Sequence, residues 1–254
     1  MKSFCFTVDD NIRVFRDLTE KYYHSVFDHP YLAVYRRLHE QYGLKVQLNL
    51  FYETDGFDLS AMTDVYREEW EKNASWLKMS FHSRLENESP YVDSGYAEVF
   101  ADCERVHSEI RRFAGEETLA KTTTVHYCQT TAEGRRALKD NGIKGLLGLF
   151  GTDEMPATSY SVPLSYGDLL RAGNNVVWDG VCVAAIDVIL NQVPLDRISD
   201  AVLSLIGRDR IKVMIHEQYF YPDYHGYQPD FEKKLETAFG LLTQNGYVST
   251  FFEE

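Results

Sequence analysis

Two adjacent carboxylates, Asp9 and Asp10, follow directly on the apolar run Phe4-Cys5-Phe6-Thr7-Val8. Histidines stand in comparable positions: His82 with Ser83 after residues 76–81, His126 within residues 122–127, and His216 with Glu217 after residues 211–215. Glu53 ends the alternating stretch 45–52, and Asp187 interrupts the apolar run 181–190. Short β-branched or aromatic runs of this kind read as buried strands. An acid or imidazole just past such a strand has no packing purpose. One Asp pair alone would also serve as a turn and helix cap, but six such places on different strands form a set. The chemistry this set supports is metal-assisted hydrolysis. A divalent metal held by carboxylate and imidazole brings the pKa of bound water towards neutrality. A second carboxylate can then take the water's proton, and a histidine can protonate the leaving group.

Elements of regular spacing must bring these residues together. Side chains alternate along a strand, so Asp9 and Asp10 start out pointing apart, and only a turn at the strand end directs both to one mouth. Strands are expected over 4–10, 45–52, 76–81, 122–127, 143–150, 181–190, 211–215 and 247–252. Helical spacing covers 12–23, then 30–42, which starts on Pro30 and stops at Gly43. Further helices are expected from Asp58 or Ser60 to about 73, and over 131–141, 194–206 and 228–245. The strongest period is 94–113, with Tyr96, Val99, Phe100, Cys103, Val106, Ile110 and Phe113 on one face. Residues 151–175, with Pro156 and Pro163, read as an irregular insertion.

Strands alternating with helices imply parallel pairing through crossover connections. The expected fold class is therefore α/β. Seven or eight units fit one (β/α) barrel over residues 1–254, distorted and of the glycoside hydrolase/deacetylase type, with a doubly wound open sheet as the alternative. A barrel gathers its function at the carboxyl ends of its strands.

A net charge of −13 over 254 residues argues against nucleic acid or an anionic membrane as partner. No apolar run is long enough to span a bilayer. Asp9 and Asp10 interrupt any leader-like apolar segment, and four widely separated cysteines suit reduced thiols, so a cytoplasmic location is expected. The 17 Tyr and 15 Phe suit an aromatic-lined cleft for a small-molecule or oligosaccharide partner. Association into a homo-oligomer stays open.

Thr7-Val8-Asp9-Asp10 resembles the opening Thr-Phe-Asp-Asp motif of the polysaccharide deacetylases, carbohydrate esterase family 4. Ser80-Phe81-His82-Ser83-Arg84-Leu85-Glu86 is similar to that family's His-Ser/Thr-x-x-His motif, and Val213-Met214-Ile215-His216-Glu217 to its late Leu-x-His-Asp motif. The ending, from Phe231 through Phe252, resembles the family's too, so the likeness spans almost the whole chain. The resemblance implies Asp9 as catalytic base and Asp10 and His82 as ligands of a divalent metal, zinc before manganese, cobalt or nickel. Glu86 stands where the third ligand, a histidine, is usual; on a helical turn it would share a face with His82. His216 would be the general acid, with Glu217 in place of the usual Asp. The Arg-Pro-Pro stretch that orients the base is replaced by His126-Tyr127-Cys128-Gln129. His126 can then serve as hydrogen-bond partner or as ligand. Asp187 can replace the acid that tunes the histidine. Glu53 and Trp178 line the mouth or are structural, and Arg84 binds a substrate carboxylate or pairs with Glu88.

The function expected from these residues is removal of an acyl group, most simply acetyl, from an N-acylated sugar or related small amide. A degenerate barrel that binds a carbohydrate or metabolite is one rival. A metal-independent glycoside hydrolase, with Asp9 and Glu217 or Glu53 as acid and base, is the other.

Overall fold

The structure is a computed structural model that describes residues 2–86, 91–150 and 159–253. The strands are β1 (Ser3–Asn11), β2 (Val46–Thr54), β3 (Phe57–Asp58), β4 (Leu77–Leu85), β5 (Thr122–Thr123), β6 (Gly145–Gly148), β7 (Asn175–Trp178), β8 (Val181–Ala185), β9 (Val188–Ile189), β10 (Arg210–His216) and β11 (Val248–Ser249). The helices are α1 (Arg13–Glu20), α2 (Pro30–Tyr42), α3 (Arg67–Asn73), α4 (Tyr96–Phe113), α5 (Ala132–Asp140), α6 (Gly167–Arg171), α7 (Ile198–Leu203) and α8 (Phe231–Gln244). The α/β class is as expected. The distorted barrel expected does not close into one ladder: the described strands fall into two sheets. One has the order β3-β2-β1-β10-β9, with β4 on β2 and β11 on β1; the other runs β5-β6-β8-β7. All pairs are parallel except β3 on β2 and β7 on β8. No described helix is long and apolar enough to cross a membrane.

Two places explain why the ring does not close into one ladder. The expected strand 181–190 breaks at Asp187 into β8 of one sheet and β9 of the other. There the Asp187 amide donates to the Lys212 carbonyl at 2.9 Å, and its carboxylate accepts from the Lys212 amide at 2.7 Å. At the other junction, β4 meets the approach to β5 through a single bridge, Met79 to Leu119. The expected strand 122–127 shrinks to two residues, because the Thr124 carbonyl accepts from His82 Nδ1 instead of a ladder amide. Of the insertion 151–175, residues 151–158 lie outside the described residues; the remainder supplies α6 and the start of β7.

β1 is buried along its full length at the centre of the larger sheet. The helix α2 begins with Pro30 at its first position and ends on Gly43 in the left-handed region, where a side chain would be strained. Inside the sheets the polar residues of β2 form a chain. Thr122 Oγ1 donates to Gln47 Oε1 at 2.7 Å, Gln47 Nε2 donates to Asn49 Oδ1 at 2.7 Å, and Asn49 Nδ2 donates to Asp9 Oδ1 at 2.7 Å. The alternation of 45–52 thus marks two buried faces, one apolar and one polar. All four cysteines are free.

Glu217 fixes where α1 begins. Its buried carboxylate accepts the backbone N–H groups of Ile12, Arg13 and Val14 at 2.7, 2.9 and 2.8 Å. These are amides that a helix start leaves without internal partners. Replacing Glu217 by Leu leaves the three amides without their acceptor, and a loss of about 3 kcal/mol in unfolding free energy is expected. Urea denaturation measures it; a loss under about 0.5 kcal/mol would mean that the carboxylate does not hold this helix start.

Candidate metal centre and active site

Two bulges direct the site residues inwards. Between Val8 and Asn11, β1 carries one residue more than the Leu48–Leu50 segment of β2 opposite it, and Asp10 takes up the excess at φ 64°. A non-glycine residue in this region is held there at a cost of about 1 kcal/mol or more. The turn brings Asp9 and Asp10 to the same cavity instead of opposite faces. On β4, Phe81 pairs with Leu50 and Ser83 with Phe51, which leaves His82 as the extra residue. Bulges of this kind re-aim side chains beside functional sites.

Asp10 Oδ1, His82 Nε2 and His126 Nδ1 converge. His82 Nε2 stands 3.0 Å from Asp10 Oδ1 and 3.1 Å from His126 Nδ1, and His126 Nδ1 stands 3.4 Å from Asp10 Oδ1. Tetrahedral ligands about 2.0–2.1 Å from a zinc-like ion stand roughly 3.3 Å from one another, so the three atoms fit one ion. Among the described residues this is a group of three donors that could hold a metal. Their protonation suits it as well. Burial alone would raise the Asp10 carboxyl, but the adjacent His126 and His82 imidazoles outweigh it and hold the group well below the usual carboxylate range. Burial lowers the His82 pKa against the pull of Asp10, which keeps the imidazole neutral, as a ligand must be. His82 Nδ1 donates to the Thr124 carbonyl, which leaves the Nε2 lone pair for the cluster.

His126 owes its place to the turn His126–Cys128, in which Tyr127 and Cys128 have φ 56° and 57°. Its ring lies edge-on to Phe51, with centroids 4.8 Å apart. Gln218 Nε2 donates to the second oxygen of Asp10, Oδ2, at 2.6 Å.

Asp9 and His216, partners in the register of β1 and β10, line the same cavity of about 420 Å³. Burial pushes the Asp9 carboxyl well up; the hydrogen bond from Asn49 opposes this and the neighbouring Asp10 charge adds to it. His216 Nδ1 donates to Asn191 Oδ1 at 2.9 Å, which leaves Nε2 as the ring nitrogen available to a ligand. Burial lowers the His216 pKa, Asp10 opposes the shift and His126 reinforces it. Asn191 is itself fixed by Gln228, whose Nε2 donates to the Asn191 carbonyl at 2.8 Å.

Several expected residues stand elsewhere. Glu86 is outside the donor cluster: its carboxylate accepts from Thr54 Oγ1 at the cavity's edge. Residues 82–85 are strand, not a helical turn, and four residues along a strand span roughly 13 Å. Asp187 does not tune His216; its carboxylate lies 3.2 Å from the buried Lys212 ammonium and also binds Arg208. Glu217 turns away from the cavity to cap α1. Glu53 faces a separate depression and pairs with Arg84 at 3.5 Å, while Glu88 lies outside the described residues. Trp178 packs edge-on against Tyr166, away from the cavity.

Three amides were not anticipated: Asn49, Asn191 and Gln218. Each follows or interrupts an apolar strand, the same positional mark that identified the titratable residues. Their neutral side chains carry no chemistry alone and gain a role only through the acid or histidine that each one meets.

No protein-family model matches the chain, and no curated protein matches it. Solved structures do. A family 4 acetyl xylan esterase from Clostridium thermocellum, in complex with a cobalt ion, aligns over 99% of this chain and 89% of its own at 13% identity, with a TM-score of 0.54. A peptidoglycan N-acetylglucosamine deacetylase aligns over 98% of this chain and 86% of its own at 12% identity and a TM-score of 0.50. A 4-alpha-glucanotransferase from Thermococcus litoralis aligns over 99% of this chain but 39% of its own, at 13% identity and a TM-score of 0.61. The chain shares its fold with the polysaccharide deacetylases of carbohydrate esterase family 4, at an identity that marks it as divergent from them.

Proposed function

We propose that the chain is a metal-dependent deacylase that removes an acetyl or similar acyl group from an N-acylated sugar or related small amide in the cytoplasm. The observation that carries this reading is the convergence of Asp10, His82 and His126 in one cavity with Asp9 and His216. Asp10, His82 and His126 would hold the ion, and one carboxylate with two imidazoles suits zinc. When bound, such an ion acidifies a water and polarises the acyl carbonyl. Asp9, its carboxyl raised by burial, takes the proton of the attacking water. Asn49 holds Asp9 in place, the service for which family members use an arginine. His216, fixed through Nδ1 by Asn191, delivers a proton from Nε2 to the leaving nitrogen. Tyr219 and Tyr224 line the same cavity and offer flat apolar faces to a sugar ring.

A glycosidic reading draws on the glucanotransferase likeness in fold. The carboxylates expected to partner Asp9 in it, Glu217 and Glu53, do not line the cavity; those that do are Asp10, set between two imidazoles, and Glu86, bonded to Thr54 at the edge.

Three outcomes test the proposal. Wild-type protein should release acetate from N-acetylated amino sugars, lose that activity on chelation and regain it with zinc or cobalt; activity that persists after chelation would refute metal dependence. His126→Ala should weaken metal binding at least roughly 100-fold, more than loss of an outer-shell partner, whereas Glu86→Ala should leave it within about twofold. Elemental analysis and metal titration distinguish the two, and the reverse pattern would restore Glu86 as the ligand. For the pH profile, His216 acts as the protonated acid, so activity falls as pH rises through its pKa. Asn191→Asp supplies a negative partner, which favours the imidazolium. The alkaline limb of kcat/KM should therefore move to higher pH, and an unmoved limb would remove His216 from the acid role.

A further inference from the structure

We propose that Gln218 is a positioning residue for the metal centre: its side-chain amide holds one oxygen of Asp10 so that the carboxylate presents the other to the ion. This inference rests on the metal-dependent reading above. The two oxygens of Asp10 are divided between different partners. Oδ1 faces His82 Nε2 at 3.0 Å and His126 Nδ1 at 3.4 Å, while Oδ2 accepts from Gln218 Nε2 at 2.6 Å. An amide N–H donates and cannot ligate, so Gln218 orients the carboxylate without competing for the ion. Ligating carboxylates elsewhere are held by outer partners in the same way.

The backbone that carries the amide is held in place. Gln218 follows Glu217 in the turn Glu217–Phe220, and Glu217 binds the amides of Ile12, Arg13 and Val14. Two consecutive side chains therefore grip one short segment, Glu217 just after Asn11 and Gln218 just before it. The residue that Gln218 holds is the one at φ 64°. Such a conformation persists only where its surroundings over-determine it, and these contacts help to do so. Without Gln218, rotation of the Asp10 side chain can offer both oxygens to the ion or neither.

The test is titration of the metal-free full chain with cobalt(II), followed by visible absorption. This reads affinity and coordination geometry together. Gln218→Met keeps the length of the side chain and removes the donor; Gln218→Asn keeps the amide on an arm too short to reach. Both variants should fold, as judged by circular dichroism, and bind cobalt roughly 10–100-fold more weakly. Their absorption bands should change in intensity as the carboxylate reorients, an effect that a merely structural role would not produce. Wild-type affinity and an unchanged spectrum in both variants would overturn this inference alone. A wild-type chain that takes up no cobalt would overturn the metal reading together with it.

Discussion

The site depends on the backbone of one residue. Asp10 lies within β1 in the left-handed region, as the extra residue between the paired Val8 and Asn11. Were the strand to continue regularly, Asp9 and Asp10 would face opposite sides and only one could enter the cavity. The fold sets contacts on both sides of the distortion. Upstream, β1 is paired to β10 from Ser3 to Asp9. Downstream, the Asn11 side chain donates to the Val8 and Asn49 carbonyls and accepts from the Tyr31 hydroxyl, so the chain is refastened at once. Local strain is thus carried by contacts made through three other elements.

Burial then sets the charge states. The same dry surroundings raise Asp9 and lower His82 and His216, because each shift avoids a charge away from water. Asp10 is the exception, since the two imidazoles beside it hold its carboxyl down. The cavity therefore concentrates its negative charge on the carboxylate among the donors and leaves its neighbour as the more basic acid. Neutral amides take the supporting positions, Asn49 beside Asp9, Asn191 beside His216 and Gln218 beside Asp10. Amides fix direction with little effect on net charge, which suits a cavity whose charge an ion would balance.

Much of this was legible in the sequence, and the gaps have physical causes. The apolar runs located β1, β2, β4 and β10, and their ends located Asp9, Asp10, His82 and His216. Glu86 falls outside the donor cluster because the strand runs on to Leu85 where a helical turn is expected. A spacing of four means contact on a helix and separation on a strand. Alternation such as that of 45–52 does not tell a half-buried strand from one buried on both faces; the burial of Gln47 and Asn49 shows only once the second sheet is in place. Asp187 interrupts its apolar run in sequence and in structure, but its partners, Lys212 and Arg208, lie more than twenty residues away, and no local pattern names them.

The division into two sheets has a mechanical consequence. Asp10 and His82 belong to β1 and β4 of the larger sheet, whereas His126 sits in the turn that follows β5 of the smaller one. Between β4 and β5 lies the seam that the backbone crosses with one isolated bridge. An ion seated among the three side chains would act as a rivet through that seam. It would tie the two sheets together where hydrogen-bonded pairing does not, so that occupancy and rigidity of the mouth rise together. The opening through which a substrate enters would then be stiffest when the centre is loaded and slackest when it is empty.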